Sequence, residues 1–144
     1  MDRKPQTFAN HTRVVPAFHY FTVPLSIVIL LASIVHAIWH GEERWLESAI
    51  LIALSVVVFM GLLFTRTFAT TVQDRAIRAE ENLRHYVLTG RLPDPRLTMG
   101  QIIALRFASD EEYPELCELA LKNHLKPKEI KMSIRNWKPD YERV

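Results

Sequence analysis

Two uninterrupted apolar runs, Tyr20 to Trp39 and Leu46 to Phe64, constrain what the rest of the chain can do. The first holds no Lys, Arg, Asp or Glu over 20 residues, and the second holds none after Glu47. At about 1.5 Å of rise per residue, a helix of that length matches a hydrocarbon core of about 30 Å. One such run can be the buried helix of a soluble protein. Two in succession, separated only by Gly41-Glu42-Glu43-Arg44, predict a membrane hairpin with spans of about 20–39 and 46–64.

Averaged over 144 residues the chain is 49% apolar, because polar flanks dilute the two runs, and its length fits one compact unit. The first run does not read as a secretory signal. A long polar-leaning segment precedes it, and no small-x-small cleavage site follows Trp39. The single cysteine, Cys117, excludes an internal disulfide framework and a cysteine-based zinc cage, and its helical apolar surroundings predict a buried small hydrophobe. Small residues on the runs, Ser33 and Ala37 on the first and Ala49 and Ala53 on the second, predict the faces along which the helices approach.

Charge sets an orientation. Arg3, Lys4 and Arg13 precede the first run against Asp2, and Arg66, Arg75 and Arg78 follow the second. The connecting loop carries Arg44 against Glu42, Glu43 and Glu47. Lys and Arg collect on the cytoplasmic side, so both termini are expected in the cytoplasm and the loop outside. Phe18, Tyr20 and Phe21 then mark the inner interface, and Trp39 and Trp45 the outer one.

Residues 1–17 read as a cytoplasmic arm, extended or surface-lying because of Pro5 and Pro16. The hairpin follows over 18–64. Pro24 acts as an early-helix proline, or kinks the helix if that helix starts near Pro16. Residues 65–90 continue the second helix, since neither Gly nor Pro occurs between Gly61 and Gly90. Gly90 with Pro93 is a stop signal, so one helix from about Leu46 to Leu88 is expected. Its extension carries an apolar stripe, Phe68, Val72, Ala76, Ala79, Leu83 and Tyr86, with Asp74–Arg78 and Glu80–Arg84 as i,i+4 pairs. The stripe packs on the protein's own tail or makes a coiled-coil-like contact between subunits.

The tail, 91–144, reads as short amphipathic helices. Thr98-x-x-Gln101 and Ser109-x-x-Glu112 are capping boxes, with Pro114 late enough to shift the second start by a residue or two. Leu116, Leu119 and Ala120 give that helix its inner face, and Pro127 opens a third with Ile130, Ile134 and Trp137 on one side. So short a tail needs a dock, on the long helix or on another copy.

Gln6-Thr7-Phe8-Ala9-Asn10-His11-Thr12-Arg13, followed by Pro16-Ala17-Phe18-His19, resembles the opening of a family of small bacterial membrane proteins labelled a domain of unknown function. Leu105-Arg106-Phe107-Ala108-Ser109-Asp110-Glu111-Glu112, Pro127-Lys128-Glu129-Ile130-Lys131 and Asn136-Trp137 are similar to that family's tail. The resemblance covers nearly the whole chain. It implies two spans, a cytoplasmic tail and a bacterial inner membrane, and it implies no activity.

Candidate sites are few. His36 and His40 lie one helical turn apart with Glu43 close by, a spacing that can bind a metal or relay a proton, but no further ligand is signalled. Asn10, His11, Arg13 and His19 form a polar cluster that either contacts lipid phosphate or ties the arm to the tail. The tail from Thr65 has 14 Lys and Arg against 12 Asp and Glu, a mixed surface that does not fit nucleic acid. The basic run Lys126 to Lys138 can attract the inner leaflet modestly. No Gly-rich phosphate loop, His-Glu-x-x-His or Gly-x-Ser-x-Gly occurs, so no enzyme class or cofactor is indicated.

The expected fold class is an all-α membrane protein: a two-helix transmembrane hairpin, a second helix extended into the cytoplasm and a small helical tail. The expected function is a non-enzymatic, oligomeric inner-membrane scaffold or accessory subunit whose partners are the bilayer and a second copy or another membrane protein. A small homo-oligomeric channel is the alternative. A metal or proton-relay site at His36 and His40 comes third.

Overall fold

The computed structural model describes residues 5–141, so Asp2, Arg3 and Lys4 of the basic flank and Glu142 and Arg143 of the tail lie outside the described residues. The described chain is all-α. A π-helical turn, Ala17–Thr22, leads into α1, Val23–His40; then come α2, Trp45–Thr89, α3, Met99–Leu105, α4, Tyr113–Lys122, and α5, Pro127–Ser133. The chain divides into two units, residues 14–70 and residues 5–13 with 71–141. Ala17–His40 and Trp45–Thr89 are each long and apolar enough to cross a membrane, and only 11% of the apolar window of each is buried within the chain.

In the unit of residues 14–70, the helix starts just after Pro16 and absorbs Pro24 by widening. Pro24 has no N–H to donate one turn back, and its ring crowds the carbonyl four residues before it. The turn therefore adopts π geometry, with Val23 N–H donating five residues back to Phe18 O and Thr22 Oγ1 donating to Ala17 O at 3.0 Å.

Serines line the inside of the hairpin. Val23, Ser26, Leu30, Ser33, His36 and Ala37 are the covered positions along α1, and Ser48, Ile52, Ser55, Phe59 and Leu62 those along α2 as far as Leu62. Apart from His36 at the loop end, steps of three and four make each a narrow seam in which apolar side chains separate the serines. Ser33 and Ala37 lie where the sequence places them, but Ala49 and Ala53 face outward and Ser48 and Ser55 replace them. The reason is that the serine hydroxyls donate within their own helices, Ser26 to Val23 O, Ser33 to Leu30 O and Ser55 to Leu51 O, each at 2.7 Å. A back-bonded serine carries no unmet polar group and packs as a small residue. Ser33→Leu should therefore overpack the seam and cost about 1–3 kcal/mol, read as a lower unfolding midpoint in mild detergent. Ala32→Leu, on the exposed side, is the control, and equal midpoints for the two would remove the seam argument.

In the other unit, α2 runs on without interruption and stops where Gly90 takes φ of 74°, a left-handed conformation that glycine adopts at no steric cost. Thr98 and Gln101 form the expected reciprocal capping box, and Pro127 opens α5. The second expected box forms only by half: Ser109 N–H donates to Glu112 Oε1 at 3.5 Å, but the Ser109 hydroxyl does not cap the helix in return. α4 begins at Tyr113 with Pro114 in its first turn, and the Glu112 carboxylate also accepts, at shorter range, from the N–H groups of Arg135, at 3.2 Å, and Asn136, at 3.0 Å. That anchor holds residues 136–138 against 107–109, where Ala108 and Trp137 form an antiparallel bridge. The core gathers Ile77 of α2 with Leu105, Phe107, Tyr113, Leu116 and Ile130 of the tail. Leu119, expected inside, is 39% exposed, while Tyr113 and Cys117 complete the inner face of α4.

Candidate functional site

The tail docks on α2 through the face of Ile77, Glu81 and His85, and not through the apolar stripe. Val72 is 67%, Leu83 64% and Tyr86 54% exposed, and Ala76 and Ala79 are also open. Phe68, which falls in the other unit, is equally exposed there and stacks on Phe64. The expectation that the stripe packs on the chain's own tail is thus corrected. Polar chemistry decided the face. Arg84 reaches from α2 into the turn after α3, donating to Ala108 O and Asp110 Oδ1, both at 2.7 Å, while it pairs with Glu81 at 3.2 Å and lies over the Tyr113 ring at 4.3 Å. Glu80, expected to pair with Arg84, is left on the outside, and among the described residues neither it nor Asp74 forms an ion pair.

This buried cluster shifts its members. Burial pushes the Glu81 carboxyl above the ordinary carboxylate range, against the pull of Arg84, and the Arg84 hydrogen bond holds Asp110 below its own. A second buried cation, Arg106, pairs with Asp140 at 3.2 Å. Burial also raises the Tyr113 hydroxyl and pushes the Cys117 thiol up to about 12, so Cys117 is a packed, protonated side chain rather than a nucleophile.

The arm is tied to the tail at two points. The Gln6 side-chain amide imitates a strand, donating to Asp140 O at 3.0 Å and accepting from Asp140 N–H at 2.8 Å. His11 sits among Phe8, Phe107 and Trp137, with ring centroids 5.8 to 5.9 Å away. Its Nδ1 lies 2.7 Å from Phe8 O and must carry the hydrogen, which leaves Nε2 to accept from Lys131 Nζ at 3.0 Å. Both bonds are satisfied by a neutral ring. Asn10 shapes the turn before it, accepting from Thr7 N–H at 2.6 Å and donating to Pro5 O at 2.9 Å. Arg13 is exposed, and His19, in the other unit, places Nδ1 3.2 Å from Val15 N at the start of the π turn. The four residues read as one cluster thus divide: Asn10 and His11 build the arm–tail junction, and His19 closes a helix start.

At the far end of the hairpin the His36 and His40 rings stack with centroids 4.9 Å apart, and His36 Nδ1 lies 3.2 Å from Ser48 Oγ. Among the described residues no three His, Cys, Asp or Glu side chains converge on a common point, so Glu43 does not complete a ligand set with them. An open cleft of about 480 Å³ between the end of α2 and α4 is lined by His85, Arg91, Arg96, Glu118 and Lys122 among others. Its arginines are engaged: Arg96 clasps Asp94, holding that carboxyl at about 2, and Arg91 faces Glu118 at 3.4 Å. Sequence reasoning missed the contacts of Gln6, Arg84 and Glu112. The arm motif placed Gln6, an i,i+4 pair Arg84 and a capping box Glu112, and none of these local readings shows the long-range partner.

A family of unknown function, DUF6526, matches residues 1–144. No curated protein and no solved structure matches the chain.

Proposed function

The chain belongs to the DUF6526 family, whose description carries no activity, and from that premise we propose a membrane-anchored scaffold or accessory subunit. It sits in the bacterial inner membrane with both termini cytoplasmic and the loop at Gly41–Arg44 outside, and it works by contact rather than by chemistry. The observation that carries the reading is exposure. A core helix of a soluble protein is mostly buried, whereas the apolar windows of these two helices are 11% buried, so lipid is the medium that suits them. Tyr20 at 73% and Phe21 at 66% exposure stand near one end of the pair, and Trp39 and Trp45 at the other, as interfacial rings do. The exposed stripe of α2, on the face that the tail leaves open, is the contact surface.

Topology and assembly are tested separately. In intact spheroplasts, Glu43→Cys should react with a membrane-impermeant maleimide, and Arg13→Cys only after lysis. The reverse pattern would overturn the orientation. Native mass spectrometry after gentle extraction should show a complex heavier than one chain, and a monomer in every mild detergent would end the scaffold reading.

A further inference from the structure

We infer that the open face of α2 beyond Thr70 pairs with the same face of a second copy of this chain, in parallel. This rests on the membrane reading above, because two chains inserted in the same sense carry their long helices in the same direction. Val72, Ala76, Ala79, Leu83 and Tyr86 recur at steps of four, three, four and three, the repeat of a two-stranded seam. The tail occupies the opposite face through Ile77, Glu81 and His85, so the chain itself does not cover the seam.

Charge identifies what does. Arg75 stands immediately before Ala76 and Glu80 immediately after Ala79, one on each flank of the stripe. Both are exposed, and among the described residues neither forms an ion pair within the chain. In a parallel pair the residue before one inner position faces the residue five further on in the other helix. Arg75 of each copy therefore meets Glu80 of the second copy, and the twofold axis makes two such pairs. Alanine at the two central inner positions lets the helices approach closely. A seam of two heptads is short, and confinement to one membrane supplies the effective concentration that it needs.

The test uses the full chain in its own membranes and a bismaleimide cross-linker, with the parent chain as background because Cys117 is 2% exposed. Ala79→Cys should give a product of twice the chain mass, and Arg78→Cys, off the seam, should give little. Adding Arg75→Glu to Ala79→Cys should cut the yield about fivefold or more by turning both attractive pairs repulsive. Adding Glu80→Arg as well should restore it. Equal yields at positions 78 and 79, indifference to the charge changes, or capture of a different polypeptide would each overturn the pairing. Alkaline carbonate extraction of the same membranes separates the two failures. A chain that stays in the membrane without cross-linking defeats only the pairing, and a chain that is washed out defeats the membrane reading beneath it.

Discussion

Replacing Arg84 by methionine should cost the unit of arm, helix end and tail about 3–5 kcal/mol, the range for breaking a buried charge pair from one side. Arg84 and Glu81 are each only 11% exposed, and Arg84 also holds the Ala108 carbonyl and the Asp110 carboxylate. Methionine fills much of the space but leaves Glu81 buried without its cation. Hydrogen exchange of the α3, α4 and α5 amides in mild detergent would read the loss.

The pH dependence carries a sign. With its carboxyl above the ordinary 4.5 in the folded chain, Glu81 holds a proton that the unfolded chain has already released. The stability this supplies is fully present below about 4.5 and falls as pH rises through the higher folded value. Removing Arg84 takes away the pull that opposes burial, so the variant should recover protection on acidification from neutral pH toward 4.5. Asp110 acts oppositely in the parent: held below 3.8, it contributes above that value and loses its contribution as pH falls through the lower one. Glu81→Leu combined with Arg84→Met should be more stable than Arg84→Met alone. A single variant within about 1 kcal/mol of the parent, or one whose protection ignores pH, would remove this cluster as the reason the tail docks where it does.

Phe107→Ala is expected to cost about as much, about 3–5 kcal/mol, for a different reason. The side chain is fully buried at the centre of the tail, 5.1 Å from the Trp137 ring and 5.8 Å from His11, with Arg106 4.8 Å above its face. Truncation opens a cavity and also removes the surface on which the arm rests. Protease cleavage after Arg13 should therefore accelerate together with the loss of tail protection. Phe107→Leu, which keeps most of the volume, should cost less than about 1.5 kcal/mol and leave the arm held. An arm that stays protected in Phe107→Ala would show that Gln6 and Asp140 alone suffice.

Helices and their ends were written in local sequence. The unbroken stretch before Gly90, the Thr98–Gln101 box and Pro127 each act on the next few residues, so each could be read without knowing the fold. Periodicity likewise showed which residues share a face, and the stripe from Val72 to Tyr86 is indeed one face of α2. It could not say which face meets the tail. That choice was made by Arg84 and Glu81, which look like solvated surface charges along the helix and become the buried contact only once the turn after α3 arrives.

The same limit applied elsewhere. Ser48 and Ser55 looked polar and Ala49 and Ala53 small, because nothing local shows that Ser55 will donate to Leu51 O and pack as alanine would. His11 could be read as a headgroup ligand or as a tie between arm and tail, and only Lys131 and Trp137, far along the chain, decided for the tie. The sequence by itself determined that two helices are fit for lipid, that the second runs on without a break, and that short helices follow, because length, apolarity and caps are local or additive properties. Only the tertiary structure decided which faces are covered, which charges are buried and where the arm is tied, because those depend on pairs of residues whose separation in sequence carries no trace of their meeting.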